Sequence, residues 1–437
     1  MSLRRRPFVL AAVLLLMLSS CAGEDPSPDS PDEGAGEPGS PEAVTETPSE
    51  EDPVEEDPGD STFTILSTGD VLPHDAVMDA AQTSDGGWDF APLLAGVEEW
   101  VAGADLALCS LEVPLAAPGE EPAGYPVFGA PEELVPGLDH AGFHGCNTAT
   151  NHSLDSGVAG LERTLDVFEE HDMGHVGTAR TEEEAAQPQL YTLQRGGREV
   201  TVAHLSATML HNPSSLPPEE EPWRVTDLGP EELTEQAAEA RSQGADVVLA
   251  SMHWGEEYVH EPQAEQLEYA RALAEGGEID LVFGNHSHTP QPIEELDGGP
   301  AQEHGMWVAW SMGNFLSNQD AECCVMETAT GLMTLATVEI TGEEPDDPVR
   351  VTGMEWIPVT NDREGATRDD EVFRGIWALP DLMNGPPDAA ELDEQTVLDE
   401  QTVEQRWDRV TEVMGEEDLL AEIPETSGDE PQVLPRG

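Results

Sequence analysis

Side chains that bind divalent metals recur in this sequence at the points where short apolar runs end. They comprise two carboxylates, one amide and three imidazoles, namely Asp70, Glu112, Asn151, His253, His286 and His288. Mixed carboxylate and histidine ligands suit Mn²⁺, Fe and Zn²⁺. His286 and His288 are two residues apart, so that each imidazole can face one metal of a pair. The series therefore predicts a centre for two divalent metal ions.

These side chains converge only if the apolar runs form neighbouring strands. The predicted strands are 62–69, 104–112, 142–150, 199–206, 245–253, 279–285, 306–314, 330–341 and 349–359. The predicted helices between the earlier strands are 90–101, 157–171, 232–244 and 263–277. In the second of these helices, Val158, Leu161, Leu165 and Phe168 recur every three or four residues and form one buried face.

The alternation of strands and helices predicts parallel strands that are covered on both faces. The last two predicted strands have no helix between them, which indicates antiparallel pairs at the end of the fold. Two packed sheets with helices outside them satisfy this pattern. Because ligands bind beyond the carboxyl ends of parallel strands, the polar residues are expected to meet in one cleft.

Each of these polar residues also has a plainer interpretation. Asp70 occupies a position where aspartate commonly caps a helix or forms a turn. His253 precedes Trp254, as in an aromatic pair at an interface, and a His-x-His sequence is ordinary in a loop. The metal interpretation rests on the order of the six residues and on their shared position at successive strand ends.

The first 21 residues have the features of an export signal. Arg4–Arg6 precede an apolar core, Phe8–Leu18, which is shorter than the roughly 20 residues that a membrane-spanning helix needs. The sequence Leu-Ser-Ser-Cys that ends at Cys21 resembles a bacterial lipobox. The resemblance implies lipidation of Cys21 and an extracytoplasmic protein that is anchored to the membrane. An ordinary signal peptide with an incidental cysteine is the alternative.

The rest of the chain divides by composition. Residues 22–61 contain 15 acidic residues, eight prolines and no basic residue, which predicts a disordered tether. Residues 62–360 fit one large α/β domain. Residues 361–437 lose the alternation and are expected to form an extension with one helix, at 396–415, and a loose tail.

The net charge of −74 excludes one class of partner. All 17 basic residues are arginines, against 91 acidic residues. A chain this acidic repels the phosphate backbone, so nucleic acid is not an expected partner.

The four cysteines beyond Cys21 permit two disulfides with three connectivities. Cys109 and Cys146 lie at the ends of predicted strands, which favours a bridge between neighbouring strands. A bridge within Cys323-Cys324 would be strained.

Six segments of the chain together resemble the CapA family of poly-γ-glutamate capsule biosynthesis proteins, which belongs to the calcineurin-like metallophosphoesterase superfamily. They are TGDVLPHD, CSLEVPL, TNHSLDSG, MHWGEEY, GNHSHTPQP and SMGNFLSN, and they occur in this order between residues 62 and 341. The resemblance implies an α/β fold, a four-layer α/β/β/α metallophosphoesterase-like sandwich, with a two-metal site at the edges of its sheets.

The resemblance also implies a role for each candidate residue. Asp70 is similar to the metal ligand on the first strand, Glu112 to the carboxylate that bridges both metals, and His288 to a ligand of the second metal. The ligands that complete the first metal are Asn151, His253 and His286. His152 resembles the acid that contacts the leaving group or the phosphoryl oxygens.

Three departures from the family pattern bear on catalysis. Leu72 occupies the place of a metal-binding histidine, and His74, two residues later, is the possible substitute. Ser110 stands where an asparagine is common, and Asn285 stands where the last motif commonly has a histidine. One metal therefore has few protein ligands. Hydrolysis of a phosphoester remains one expectation, and a non-catalytic component that binds the polymer or assists proteins of poly-γ-glutamate synthesis or export is the other.

Overall fold

The computed structural model describes residues 60–301, 304–342, 347–364, 372–384 and 398–436. The predicted signal peptide, with Cys21, and almost all of the predicted tether lie outside these residues. Within the described part of the chain, no helix is both long and apolar enough to cross a bilayer.

The described residues contain strands and helices in alternation over the first two thirds of the fold. The strands are β1 Asp60–Val71, β2 Leu106–Leu111, β3 Gly145–Asn147, β4 Gly174–Val176, β5 Gln189–Arg195, β6 Arg198–Thr208, β7 Val247–His253, β8 Leu281–Asn285, β9 Pro290–Leu296, β10 Met306–Met312, β11 Asn314–Leu316, β12 Thr330–Thr341, β13 Val349–Glu364, β14 Val372–Ala378 and β15 Gln432–Leu434. The helices are α1 Asp75–Ala81, α2 Ala91–Leu94, α3 Glu98–Ala102, α4 Leu134–His140, α5 Gly157–Glu170, α6 Glu182–Ala185, α7 Pro230–Ser242, α8 Ala264–Gly276, α9 Leu379–Asn384 and α10 Glu400–Met414.

Two mixed sheets form the centre of the fold. The first has the order β14-β13-β12-β1-β2-β3-β4, with β11 paired to β1, and the second has the order β15-β5-β6-β7-β8-β10-β9. In the first sheet β1, β2, β3 and β4 are parallel, and in the second β6, β7, β8 and β10 are parallel. The strands from β12 to β14 are antiparallel, as the absence of intervening helices predicts.

Alternate residues of each strand face different layers. On β2, Leu106 and Leu108 pack between the two sheets, whereas Ala107 faces the helices outside the first sheet. On β7, Val247 packs between the sheets, and Val248 faces α7 and α8 outside the second sheet. The order of layers is therefore helices, sheet, sheet, helices, which confirms the predicted four-layer α/β/β/α sandwich.

The predicted helix at 90–101 is wrong in one respect, because two short helices, α2 and α3, replace it. The backbone of Gly96 pairs with Trp377 on β14, and a Cβ atom at Gly96 would lie 2.3 Å from the carbonyl oxygen of Ile376. The helix is interrupted where β14 approaches it. The sequence analysis does not predict strand β14. It also ends the α/β domain at residue 360, whereas β13 continues to Glu364.

The predicted loose tail is also wrong. Strand β15 pairs with β5 at the edge of the second sheet, and Arg436 follows two residues after its end. The Arg436 guanidinium donates to the carbonyl oxygens of His175 and Glu184, both at 2.8 Å. Short polar stretches of this kind have no hydrophobic period, and their structure comes from partners far away in sequence. The predicted helix at 396–415 is confirmed as α10, which the Asp399 side chain caps by accepting from the Thr402 amide.

Candidate metal centre

The six predicted ligands all lie where parallel strands end, at one edge of the two sheets. Asp70 is near the end of β1, and Glu112 follows β2. His253 is the last residue of β7, and His286 follows β8. Asn151 comes four residues after β3 ends, and Asn151 Oδ1 lies 2.8 Å from His253 Nε2, across the gap between the sheets.

Glu112 belongs to two sets of potential metal ligands. One set is Glu112, His253 and His286, and the other is Asp70, Glu112 and His288. Within each set, one ligand atom from each residue lies within 4.8 Å of the others. Glu112 Oε1 is 3.9 Å from His253 Nε2 and 3.8 Å from His288 Nε2. A carboxylate shared in this way is the arrangement that bridges two cations.

The buried polar atoms of this cluster are better suited to binding divalent cations than to hydrogen bonding with one another. Both carboxylate oxygens of Glu112 and the Nδ1 atom of His253 are buried and have no hydrogen-bond partner among the described residues. Buried charged groups in proteins are normally paired or bind a metal. A divalent ion beside Glu112 would complete the bonding of its two oxygens and offset their charge.

Burial favours the neutral form of the histidines in this cluster, which is the form that binds a metal. It lowers the pKa of His286 to about 4 and that of His288 to about 3, so both imidazoles are neutral near pH 7. Burial raises the pKa of Asp70 to about 7, and burial together with the charge of Asp70 raises the pKa of Glu112 well above its usual range. Without a cation the fold therefore disfavours the charged form of these carboxylates.

The turn that carries the two histidines has an uncommon backbone. His286 has φ 95° and His288 has φ 56°, in the left-handed region that non-glycine residues seldom adopt. The amide of His286 donates to Asp70 Oδ2 at 3.1 Å, and His288 Nδ1 lies 2.9 Å from Asn314 Oδ1. Backbone strain of this kind persists where surrounding contacts hold it, and it is concentrated at functional sites.

His152 lies beside this cluster and is oriented by contacts on several sides. Its Nδ1 atom is 2.6 Å from Asp155 Oδ2, and its Nε2 atom is 4.0 Å from Glu112 Oε1. The ring of Phe128 meets the imidazole edge to face, and Asn212 Nδ2 lies 3.3 Å from each ring nitrogen. Asp155 thus holds one nitrogen of His152, and the other nitrogen faces the centre.

The predicted substitute ligand His74 lies outside both ligand sets. Its Nδ1 atom donates to the carbonyl oxygen of Leu72 at 2.9 Å, and its ring packs against Phe128. Leu72 itself is buried in the apolar core. In its neutral form His74 therefore offers only Nε2 as a ligand atom, and its binding to the second metal stays a prediction.

The two cysteine pairs are separate from the centre. Cys109 and Cys146 lie opposite each other on β2 and β3, their Cα atoms are 4.4 Å apart, and their sulfurs are joined. The structure also joins Cys323 to Cys324.

A third group of potential ligands, Glu169, His175 and Glu184, lies near α5 and α6. Arginines already occupy it. Arg180 pairs with both carboxylates, at 2.8 and 3.0 Å, and an Arg436 nitrogen lies 3.2 Å from His175 Nδ1. Guanidinium groups at these positions supply the positive charge and exclude a metal ion by repulsion.

Sequence reasoning missed two residues that orient His152. Asp155 lies three residues from His152 on one turn, and this spacing is a signal for a paired carboxylate. Asn212 lies in an irregular segment after β6, and nothing in the sequence marks it. It meets the site through tertiary contacts alone, including a hydrogen bond from its amide to the carbonyl oxygen of Asn151.

Several known proteins are similar to this chain. Residues 64–319 match the family described as bacterial capsule synthesis protein PGA_cap. The PGA biosynthesis protein CapA of Bacillus subtilis is 31% identical over 188 residues, which are 43% of this chain and 46% of that protein. A probable polyglutamine synthesis accessory protein of Mycobacterium tuberculosis is 29% identical over 220 residues, 49% of this chain and 57% of that protein. The chain thus spans about half the length of these relatives.

A solved structure, the calcineurin-like phosphoesterase YfkN from Bacillus subtilis, aligns with 81% of this chain and 97% of its own, at 13% sequence identity and a TM-score of 0.38. A likeness of this size carries no conclusion about activity, and the fold rests on the two sheets described above. The family match covers more than half of the chain and includes every candidate ligand. The chain belongs to the bacterial capsule synthesis protein PGA_cap family.

Proposed function

We propose that this protein is a membrane-anchored, extracytoplasmic component of poly-γ-glutamate capsule biosynthesis that binds two divalent metals and hydrolyses a phosphoester. The observation that carries the proposal is the position of Glu112, a buried carboxylate that is common to two sets of ligands and accepts no hydrogen bond from the described part of the chain. The names of the relatives support the link to poly-γ-glutamate.

In this proposal each side chain has a defined task. Glu112 would be a ligand of both metals; Asn151, His253 and His286 would hold one of them, and Asp70 and His288 would hold the other. A pair of divalent ions supplies a nucleophile at neutral pH and Lewis acidity toward the phosphoryl oxygens. Mn²⁺, Fe and Zn²⁺ all suit this set of ligands.

His152 acts on the substrate instead of on a metal. In its protonated form it donates from Nε2 to the oxygen of the leaving group, and Asp155 accepts from Nδ1 and stabilises the imidazolium. Phe128 and Asn212 keep the ring from rotating. These contacts fix the direction of the Nε2 proton, which a general acid requires.

The test is the activity of the purified protein after Mn²⁺ or Zn²⁺ is added. We expect metal to remain bound after dialysis and a phosphoester such as bis-p-nitrophenyl phosphate to be hydrolysed, with EDTA abolishing the reaction. A wild-type protein that binds neither metal contradicts the whole proposal.

The second candidate function uses the same centre for binding alone. The protein would then assist proteins of poly-γ-glutamate synthesis or export without cleaving a bond. The name of the Mycobacterium tuberculosis relative, which describes an accessory protein, favours this alternative. Bound metal without hydrolysis of any phosphoester would support it.

The membrane anchor is tested by Cys21→Ser. We expect the variant to leave the membrane fraction and appear in the medium, or to remain unprocessed, because the thiol that accepts the lipid is lost. Cell fractionation followed by mass spectrometry measures both outcomes. Cys323→Ser is the control, since it removes a cysteine from the folded body. A Cys21→Ser variant as firmly membrane-bound as the wild type contradicts the anchor.

A further inference from the structure

Two buried hydrogen bonds in series reach the candidate ligand Asp70 from the neighbouring strands of the first sheet. The hydroxyl oxygen of Ser110, on β2, lies 3.3 Å from Asp70 Oδ1. Asn147 is the last residue of β3, and its Nδ2 atom lies 3.2 Å from the same hydroxyl oxygen. Asp70 is opposite Ser110 and Ser110 is opposite Asn147 in the register of these parallel strands. The three buried side chains therefore form one row across the sheet.

The direction of these hydrogen bonds follows from the donors and acceptors that each group offers. A carboxylate that binds a metal is ionised and can only accept, so the Ser110 hydroxyl donates its single proton to Asp70. The Ser110 oxygen is then left to accept from Asn147, whose amide nitrogen has two protons and is the matching donor. Asn147 therefore keeps the Ser110 proton turned toward Asp70.

The Asp70 carboxylate is held at both of its oxygens. Oδ1 accepts from the Ser110 hydroxyl, and Oδ2 accepts from the amide of His286 at 3.1 Å. A carboxylate oxygen has two lone pairs, so each oxygen retains one lone pair for a cation. Hydrogen bonds at both oxygens resist rotation of the carboxylate. Without Ser110, only Oδ2 would be held.

Asn147 contributes little else to the fold. The bond to Ser110 is the only hydrogen bond that its side chain makes with the described residues, and its buried Oδ1 atom has no partner among them. An unpaired buried amide oxygen costs stability. A disulfide between Cys109 and Cys146 already joins β2 to β3, one residue before Ser110 and Asn147. Because side chains alternate along a strand, this disulfide lies on the opposite face of the sheet.

We infer that Ser110 and Asn147 are positioning residues that hold Asp70 in the orientation that binds one of the two metals. Asn147 acts through Ser110. The inference rests on the proposed function and deepens it, because it names side chains beyond the ligands that set the affinity for a metal. Asp70 belongs to the ligand set with Glu112 and His288, and it is absent from the set of Glu112, His253 and His286. The two positioning residues therefore act on one metal and not on the other.

The experiment measures the affinity for each of two Mn²⁺ ions by calorimetry, in the wild type, Ser110→Ala, Asn147→Ala and the double variant. The loss of a partner that orients a metal ligand typically costs 10–100-fold in affinity. We expect each single variant to weaken one Mn²⁺ by about this factor and to leave the other unchanged. The double variant should bind no more weakly than Ser110→Ala, because Asn147 has no effect once the hydroxyl is gone.

Ser67→Ala is the matched control. Ser67 is a buried serine on β1, three residues before Asp70, and its hydroxyl has no hydrogen-bond partner in the part of the chain that the structure describes. We expect this variant to leave both affinities unchanged. Thermal denaturation in EDTA shows whether each variant is folded before metal is added.

The result that overturns the inference alone is a wild type that binds two Mn²⁺ ions with variants that bind them equally well. Equal weakening of both metals, or an effect of Asn147→Ala that persists in the Ser110→Ala background, overturns it too. A wild type that binds no Mn²⁺ overturns both the inference and the proposed function. Selective weakening of one metal in a protein that cleaves no phosphoester supports the inference and removes only the proposed hydrolysis.

Discussion

Glu112→Gln should abolish binding of both metals and, at the same time, raise the melting temperature of the metal-free protein. The loss follows from the position of Glu112, which belongs to both ligand sets, since a neutral amide cannot replace a bridging carboxylate. In the wild type, a metal at 100 times its Kd stabilises the fold by about 2.7 kcal/mol per site. The variant should lose this stabilisation and show no response to Mn²⁺ or EDTA.

The higher melting temperature expected for the metal-free variant has a different cause from its loss of metal binding. The folded protein raises the pKa of Glu112 above its unfolded value, because burial and nearby carboxylates disfavour the charge. A glutamate with a raised pKa lowers the free energy of unfolding as the pH rises above its unfolded pKa. Glutamine has no charge to bury and avoids this loss. We expect a gain on the order of 2–5 °C at pH 7–8, which should shrink as the pH falls below about 4.5.

Glu184→Gln is the control for this experiment. Glu184 is a buried glutamate whose carboxylate already pairs with Arg180. Its replacement should leave the metal content per chain unchanged and should lower stability, because it removes a paired charge. Elemental analysis after dialysis and thermal denaturation with and without EDTA measure both variants. A Glu112→Gln protein that keeps two metals would contradict the assignment of the bridge.

The convergence of the six ligands could be predicted because their positions follow from the geometry of parallel strands. Asp70, Glu112 and His253 each end a run of apolar residues, and the carboxyl ends of parallel strands lie at one edge of a sheet. The two sheets then bring these edges together. The same apolar runs predict most of the strands near the metal centre. Because these strands are buried on both faces, their sequences are continuous apolar segments.

Features that depend on contacts between distant segments could not be predicted in the same way. Strands β4 and β15 have three residues each, too few to show a period, and β15 is positioned by its pairing with β5, far away in sequence. Gly96 interrupts a segment with a helical pattern because β14 approaches it. The orientation of His152 depends partly on Asn212, which is 60 residues away along the chain. No local pattern encodes contacts of this length.

The His152–Asp155 pair bears on the choice between the two candidate functions, because general acid catalysis requires an oriented proton donor. His152 has a short contact to a buried carboxylate on one side and faces the centre on the other. A ring that served only to fill space would not need Asp155. The pair is therefore arranged as the proposed hydrolysis requires, and a substitution at His152 has a specific kinetic consequence.

His152→Ala should keep both metals and lower kcat by about 10²–10⁴-fold, the usual contribution of a general acid. The loss should depend on the leaving group. An activated p-nitrophenolate departs without a proton, so diesters with this group should lose least, whereas phenyl or alkyl diesters should lose most. Asp155→Asn should show the same trend with a smaller loss, because the imidazole remains but its charged form is stabilised less.

His140→Ala, which removes an exposed imidazole from α4, is the control and should change neither metal content nor rate. A loss that is equal for all leaving groups would instead assign His152 to holding the phosphoryl oxygens, and a loss of metal would place it among the ligands.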